Sequence, residues 1–308
     1  MNPPRAAVDV GSNSVRLLVL DGDGTRLTRV MRITRLAAGV DATGRLDDAA
    51  LARTLEAIAG YRDVWQGYGV TDRVRIAATS AVRDAADRDR FFDGVLDATG
   101  VHAQVISGDE EAALAFAGAV GAVDVPRPTA VLDIGGGSTE LIVGDAEGEV
   151  VAAASLQLGC VRVAERHLTS DPPSAAQLLA ARAMIDTRLD EGVRALHEAG
   201  GDPGSVRALV AVAGTATTLG ALHLGLDSYD EDRIHGTRLP ADALAELTAR
   251  LTTMTAAQRA RLGPVQPGRE DVIHGGALVL QAALARTGLD AAVISEADGL
   301  DGLAASLG

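Results

Sequence analysis

Gly11, Ser12, Asn13 and Ser14 follow one apolar run, and Gly135, Gly136, Gly137 and Ser138 follow another. Without bulky side chains, backbone N–H groups at such places come right up to an anion such as phosphate, and Ser12, Ser14, Ser138 and Thr139 add hydroxyl donors. The two clusters are copies. Val8 to Gly24 (VDVGSNSVRLLVLDGDG) recurs without a gap 124 positions later as Leu132 to Gly148 (LDIGGGSTELIVGDAEG). Each copy reads as an apolar strand ending in Asp, a turn of small residues and a second apolar strand, a hairpin whose tip is nearly all backbone. Two such tips, one per half, could face each other across a cleft. A third small-residue junction, Gly214-Thr215-Ala216-Thr217-Thr218, follows an apolar strand at 206–213 and serves either a phosphate or a helix cap.

The acidic trio Asp109-Glu110-Glu111 opens a helix expected from Gly108 to Val120. Ser107 followed by Glu110 is a capping-box pattern, which gives Glu110 a structural task. Glu111, about 100° further round the helix, is left to point into the cleft. The alternative for either carboxylate is to complement the helix dipole. The repeat adds a contrast: where the first hairpin has Arg16, the second has Glu140.

The elements that position these residues follow from periodicity and punctuation. After the first hairpin come a strand near 26–33, a Gly-containing loop at 38–45 and a helix from about Asp47 to Tyr68, stopped by Gly69. A strand at 73–78, a helix at 87–98 ended by Gly100 and a strand at 102–106 complete an alternating pattern, which means helices on a mixed sheet. Asp124-Val125-Pro126-Arg127-Pro128 is the best boundary, dividing the chain into 1–125 and 126–308. The second half repeats the scheme with a hairpin at 129–144, a strand at 150–156, a helix from about Ser174 to Glu198, helices near 241–254 and 270–287, a strand at 291–295 and a short final helix.

Composition excludes several chemistries. A length of 308 residues with 47% hydrophobic content supports a sizeable core in each half. Aromatic residues are 2%, too few for a stacking platform for single-stranded nucleic acid. Cys160 is the single cysteine, so there is no internal disulfide framework and no Cys-based zinc site, as fits a reducing cytoplasm. The six histidines stand at no metal-ligand spacing. No lysine occurs, which rules out both the P-loop lysine and Schiff-base chemistry. Neither a signal peptide nor a membrane span is apparent. A net charge of −14 argues against non-specific binding to nucleic acid or anionic lipid, although residues 1–35 carry +3 and leave −17 to the rest. Arg32 and Arg35 could therefore track a polyanion, against the plainer reading of a solvated strand face.

With both hairpins read, the chain resembles the exopolyphosphatase and guanosine-pentaphosphate phosphohydrolase family of the actin, sugar kinase and heat-shock chaperone superfamily. The segments VDVGSNSVRLLV (8–19), ATSAVRDA (78–85), VISGDEEA (105–112), LDIGGGSTELIVG (132–144), VAGT (212–215) and the helix after PGREDVI (267–273) carry it. The hairpins alone assign the superfamily; SGDEEA just upstream of the second copy selects the phosphatase family. The resemblance implies an α/β fold of two duplicated ribonuclease-H-like lobes, the actin-like ATPase fold, with mixed sheets flanked by helices and a cleft between. It also implies a homodimer.

The resemblance matches Glu111 to the family's catalytic glutamate, the acceptor of the attacking water's proton. Asp133 and Glu140 are expected to hold Mg²⁺ or another divalent cation such as Mn²⁺, directly or through waters, because a hard cation takes carboxylate oxygens. The tips cradle the terminal phosphates. Residues matching Arg16 and Arg83 are expected to touch phosphate, the alternative for each being a surface salt bridge. Asp9 either ligates metal or hydrogen-bonds the hairpin turn, and Gly214 and Thr215 serve either ligand or turn. Longer family members carry further helical domains, so processive grip on long chains is not expected, and SEADGLDGL (295–303) has Asp301 where a basic residue is often found. The expected activity is release of orthophosphate from polyphosphate, short chains above all, by metal-assisted attack of water. Conversion of guanosine pentaphosphate to tetraphosphate is the alternative. A sugar or acid kinase and a nonenzymatic nucleotide-gated binding module are the competing classes.

Overall fold

The computed structural model describes residues 3–308, apart from the side chains of residues 41 and 42. The chain divides into two compact units, one ending at Gly118 and rejoined by Gly299–Gly308, the other spanning Ala119–Asp298.

In the first unit, β1 (Arg5–Val10), β2 (Ser14–Leu20) and β3 (Arg26–Ile33) pair antiparallel in succession. They are followed by α1 (Val40–Thr43), α2 (Asp48–Gly67), β4 (Val74–Ala78), α3 (Ser80–Asp84), α4 (Asp89–Thr99), β5 (Ala103–Val105) and α5 (Gly108–Gly121). The sheet order is β3-β2-β1-β4-β5, with β4 parallel to β1 and β5 parallel to β4. Local chemistry sets the helix ends. Asp47 caps α2 by accepting from the Ala50 amide at 2.9 Å, and α4 stops at Gly100, whose left-handed φ of 74° a side chain would disfavour. Trp65, Tyr61, Phe91, Ile58 and Leu17 fill the core between sheet and helices, at about 1.5–3 kcal/mol of burial for each large side chain.

The second unit contains β6 (Thr129–Ile134), β7 (Thr139–Gly144), β8 (Val150–Leu156), α6 (Cys160–His167), α7 (Ala175–Glu198), β9 (Ala208–Val212), α8 (Ala213–His223), α9 (Glu231–Ile234), β10 (Arg238–Pro240), α10 (Ala241–Thr253), α11 (Ala256–Arg259), α12 (Ile273–Thr287) and β11 (Ala291–Ile294). Its sheet runs β10-β11-β9-β6-β7-β8. Read from β8, the first five strands reproduce the first sheet's order and its parallel and antiparallel relations. The correspondence extends to single residues. Asp9 faces Arg16 in the first hairpin and Asp133 faces Glu140 in the second, and a register irregularity falls at Val19/Leu20 and again at Val143/Gly144. At the next turn, Asp21 accepts the amides of Asp23 and Thr25, and Asp145 those of Glu147, Gly148 and Glu149.

The division differs from the expected 1–125 and 126–308. It falls within α5 rather than at the Pro-containing segment, because Thr129 and Arg207 hydrogen-bond the carbonyls of Pro126 and Pro128 and tie that segment to the second sheet. At the other end, α13 (Gly299–Ala305) joins the first unit by burying Leu300, Leu303 and Ala304 against Ala7, Leu18, Ala77 and Ile106. The helix expected from Glu270 begins at Ile273, after hydrogen-bonded turns at 266–272.

His274, in the first turn of α12, is almost fully buried, and its Nδ1 has no hydrogen-bond partner among the described residues. Burial, and then the charge of Arg259, push its pKa down from 6.5 to about 4, while Asp171 pulls the other way. As pH falls the unfolded chain takes up this proton first, so the contribution to stability is full above 6.5 and is lost progressively towards about 4. The loss should be on the order of 3 kcal/mol. Urea unfolding across that window should show it, and His274→Leu should flatten the slope.

Candidate active site

Each tip is closed by its first glycine. The Gly11 amide donates to the Ser14 carbonyl and the Gly135 amide to the Ser138 carbonyl, both at 3.0 Å, so these two N–H groups are spent within the hairpins and are not offered to an anion. What the tips offer follows from their carbonyls. Ser12 O accepts from the Ala37 amide at 2.9 Å, and Asn13 O from Thr34 and Arg35 at 3.0 and 2.9 Å. In the second tip, Gly135 O accepts from Cys160 at 3.0 Å and Gly136 O from Val161 and Arg162 at 3.0 and 3.2 Å. Arg162 Nε donates to Gly137 O at 2.8 Å. The C=O and N–H of a trans peptide point opposite ways, so holding the carbonyls of Ser12, Gly135 and Gly136 back turns the amides of Asn13, Gly136 and Gly137 outward. None of these three amides has a hydrogen-bond partner among the described residues.

In the first unit, Ser12 and Ser80 share a hydroxyl hydrogen bond of 2.9 Å, which joins the tip to α3. Arg83 lies in the last turn of α3 and donates to Ile106 O at 3.0 Å and to Glu111 Oε2 at 3.3 Å. The fold thus brings together the residue expected to receive a proton and one expected to touch phosphate. Ser107 Oγ accepts from the Glu110 amide at 3.1 Å as the capping pattern requires. The Glu110 carboxylate does not reach back to Ser107; it pairs with Arg75, a strand neighbour with a full charge to offer. The Asp9 carboxylate is held 2.6 Å from Arg16 Nη2 across the strand pair, so the two form an ion pair. Arg35, with a left-handed φ of 53°, shapes the loop that receives the tip.

In the second unit, Asp133 and Glu140 stand directly opposite each other, and Glu140 also accepts from Ser155 Oγ at 2.8 Å. Like charges directly opposite in a sheet are unfavourable without a counter-charge. Two carboxylates with the rest of the shell left to water and phosphate oxygens is the way Mg²⁺ is usually bound, so the donor set fits a hard divalent cation. Among the described residues no group of three His, Cys, Asp or Glu side chains converges on one point. Thr139 is withdrawn from any binding role: it is fully buried and its hydroxyl goes to the Leu158 carbonyl. Gly214 and Thr215 are both covered by neighbouring side chains. The guanidinium of Arg269 covers Gly214, and Thr215 is 3% exposed with its hydroxyl on the Cys160 sulfur. Burial pushes the Cys160 thiol pKa up against that hydrogen bond, which keeps it unreactive.

Sequence reasoning missed α6, Gly159 and Arg162. A side chain cannot enter at Gly159, since a Cβ there would lie 2.3 Å from Gly136 O and 2.7 Å from Gly137 N. The signal was its place in the repeat: Leu158-Gly159-Cys160-Val161 lies 124 positions after Thr34-Arg35-Leu36-Ala37, the segment that follows β3. Ser80 was also missed, although it lies in the ATSAVRDA segment.

Comparisons with known proteins cover nearly all of the chain. The sequence profile described as the Ppx/GppA phosphatase family matches residues 19–302. Exopolyphosphatase 2 of Mycobacterium tuberculosis is 43% identical over 98% of both chains. A solved structure of an exopolyphosphatase-like protein superposes with a TM-score of 0.88 at 38% identity over 97% of each chain. The Aquifex aeolicus Ppx/GppA phosphatase gives 0.82 at 26% identity over 99% of each. The two-lobed, mixed-sheet architecture is that of these structures.

The tight approach at Gly159 yields a mutational contrast. Gly159→Ala should push Gly136 and Gly137 out of place and raise the KM for any phosphate-bearing substrate at least tenfold, the effect of about one lost charge-assisted hydrogen bond. Gly67→Ala, where a Cβ meets nothing within 4 Å, should leave KM and stability nearly unchanged. Steady-state kinetics on both variants check this.

Proposed function

This chain belongs to the Ppx/GppA phosphatase family, and from that premise we propose that it is an exopolyphosphatase, a phosphoanhydride hydrolase that releases terminal orthophosphate from polyphosphate. The observation that carries the reading is the set of outward amides at Asn13, Gly136 and Gly137, a backbone surface for phosphate oxygens on both copies of the hairpin. Each charge-assisted hydrogen bond from such an amide is worth about 1.5–3 kcal/mol.

An anhydride resists hydrolysis because its oxygens repel the nucleophile, so catalysis needs fixed donors and an oriented water that loses a proton. In this reading the tip amides, with Ser12 and Ser138, hold the phosphate oxygens, Arg83 adds charge beside them, and Glu111 takes the proton from the attacking water. Arg83 also orients the Glu111 carboxylate through their contact of 3.3 Å. Asp133 and Glu140 would hold Mg²⁺ or Mn²⁺, which when bound supplies charge neutralisation on the phosphate oxygens. Arg16, paired with Asp9, contributes to phosphate binding only as part of that ion pair. Short chains are the better substrates, because the residues beyond 35 carry a net charge of −17 and repel a long polyanion. Guanosine pentaphosphate presents the same terminal anhydride and is the second substrate to test. A homodimer and a cytoplasmic location belong to the same reading; no helix among the described residues is long and apolar enough to cross a membrane.

Phosphate release should be measured from short and long polyphosphate and from guanosine pentaphosphate, singly and in competition at equal concentration. Glu111→Ala should lower kcat by roughly 10²–10⁴-fold, the usual size of a general-base contribution. Chelation should abolish turnover, and Asp133→Asn or Glu140→Gln should raise the divalent-ion concentration needed to restore it. An unchanged rate in Glu111→Ala would remove the assigned base, and preferential cleavage of the nucleotide would move the assignment to the alternative substrate.

A further inference from the structure

The helix that carries Glu111 is gripped by residues far from it in sequence. Gly302, in α13, lies so close to α5 that a Cβ there would stand 2.0 Å from the Leu114 carbonyl oxygen. Gly299, one turn earlier, faces Ala115. Leu114 is one helical turn from Glu111, on the same face by the three-residue spacing. The first turn of α5 is held separately. Arg75 on β4 ion-pairs Glu110 with one nitrogen and donates to Ser306 Oγ at 2.7 Å with the other. The end of α13 and the segment after it are themselves pinned, since Arg5 donates to Ala304 O at 3.2 Å and Arg73 to the carbonyls of Leu307 and Gly308.

We propose that residues 299–308 form a positioning element for the candidate base, setting the place of the α5 first turn through Gly302 against Leu114 and through Arg75 joining Ser306 to Glu110. None of these residues touches substrate; they act through Glu111. Glu110 and Glu111 are consecutive, so the ion pair that fixes one fixes the peptide from which the other projects. Each carboxylate has its own arginine, Arg75 from β4 and Arg83 from α3, and each arginine also holds an oxygen of a different segment, Ser306 Oγ or Ile106 O. The turn therefore has two anchors on independent elements. Orientation rather than affinity is at stake, because a misplacement of about 1 Å at a reacting group costs up to 10²-fold in rate.

The inference rests on the reading of Glu111 as the base, so Glu111→Ala is assayed in parallel on short polyphosphate. Arg75→Gln should lower kcat about tenfold with KM within about twofold, as a small displacement of an oriented group does. Arg75→Lys, which keeps the charge beside Glu110, should recover most of the rate. Arg75→Gln combined with Glu110→Gln should be no slower than Arg75→Gln alone, the signature of one shared interaction. Gly302→Ala should lower kcat further. Where thermal denaturation finds that variant unfolded, the Arg75 series decides. Unchanged kcat in folded Arg75→Gln, beside a Glu111→Ala variant that has lost activity, overturns the positioning role alone. Unchanged kcat in Glu111→Ala overturns the reading of the base and this inference with it.

Discussion

The site depends on carbonyl oxygens that face away from it. A loop of backbone can bind an anion only if its N–H groups point one way, and the C=O groups on the other side of the same peptides must then find partners or cost about 1–3 kcal/mol each when buried. Both hairpins meet this condition with the segment that follows their third strand. In the first, residues 34–37 donate to Ser12 and Asn13; in the second, the opening turn of α6 donates to Gly135 and Gly136. The second arrangement settles two needs at once. The first amides of a helix have no partner inside it, and the carbonyls of a glycine tip have none inside the hairpin. Cys160, Val161 and Arg162 supply the one to the other, which is why the chain approaches so closely at Gly159 that only hydrogen fits.

Duplication made the two hairpins alike in backbone, and divergence at one cross-strand position made them unlike in chemistry. Aspartate stays on the inner strand in both, at Asp9 and Asp133. Its partner is Arg16 in one copy, which closes a charge pair, and Glu140 in the other, which sets two carboxylates opposite each other. Exchanging the sign of one residue thus turns an ion pair into a pair of facing carboxylates without any change in strand register. The buried frame around both, Leu17 and Leu18 in one sheet and Leu141 and Ile142 in the other, keeps its apolar character.

What could be read from the sequence, and what could not, follows from the range of the forces involved. The hairpins, the β3 and β8 strands and the helix starts near Asp47 and Ser174 were legible because strand alternation, glycine turns and helix-start signals are local. The pairing of Glu110 with Arg75 was not, because the capping pattern is equally satisfied on paper by a side chain that in three dimensions finds a guanidinium from a parallel strand 35 positions away. Thr139 and Thr215 read as donors and proved to be buried, since hydroxyl chemistry alone does not say which face of a tip a residue occupies. The C-terminal helix was assigned to the second half by adjacency along the chain, whereas Leu300 and Leu303 find their apolar partners in the first sheet. Short elements such as α3, α6, α9 and α11 carry too few periods to show a pattern, yet α3 and α6 hold Ser80, Arg83 and Arg162.

An acidic protein that acts on a polyanion must keep its own charge from opposing binding, and the way the basic residues are placed addresses this. Every cation available is an arginine, a planar group that can bond two oxygens at once and remains charged when partly buried. The arginines around the candidate base use that property to hold a carboxylate and a neutral oxygen simultaneously, as Arg75 and Arg83 do. Three consecutive acids at 109–111 are favourable to the start of α5 through its dipole but repel one another. Two guanidinium groups from separate elements offset that repulsion where it is strongest. The carboxylate expected to accept a proton is thereby fixed in orientation by a neighbour that also lowers the local negative potential an arriving phosphate would meet, so one contact serves both geometry and charge.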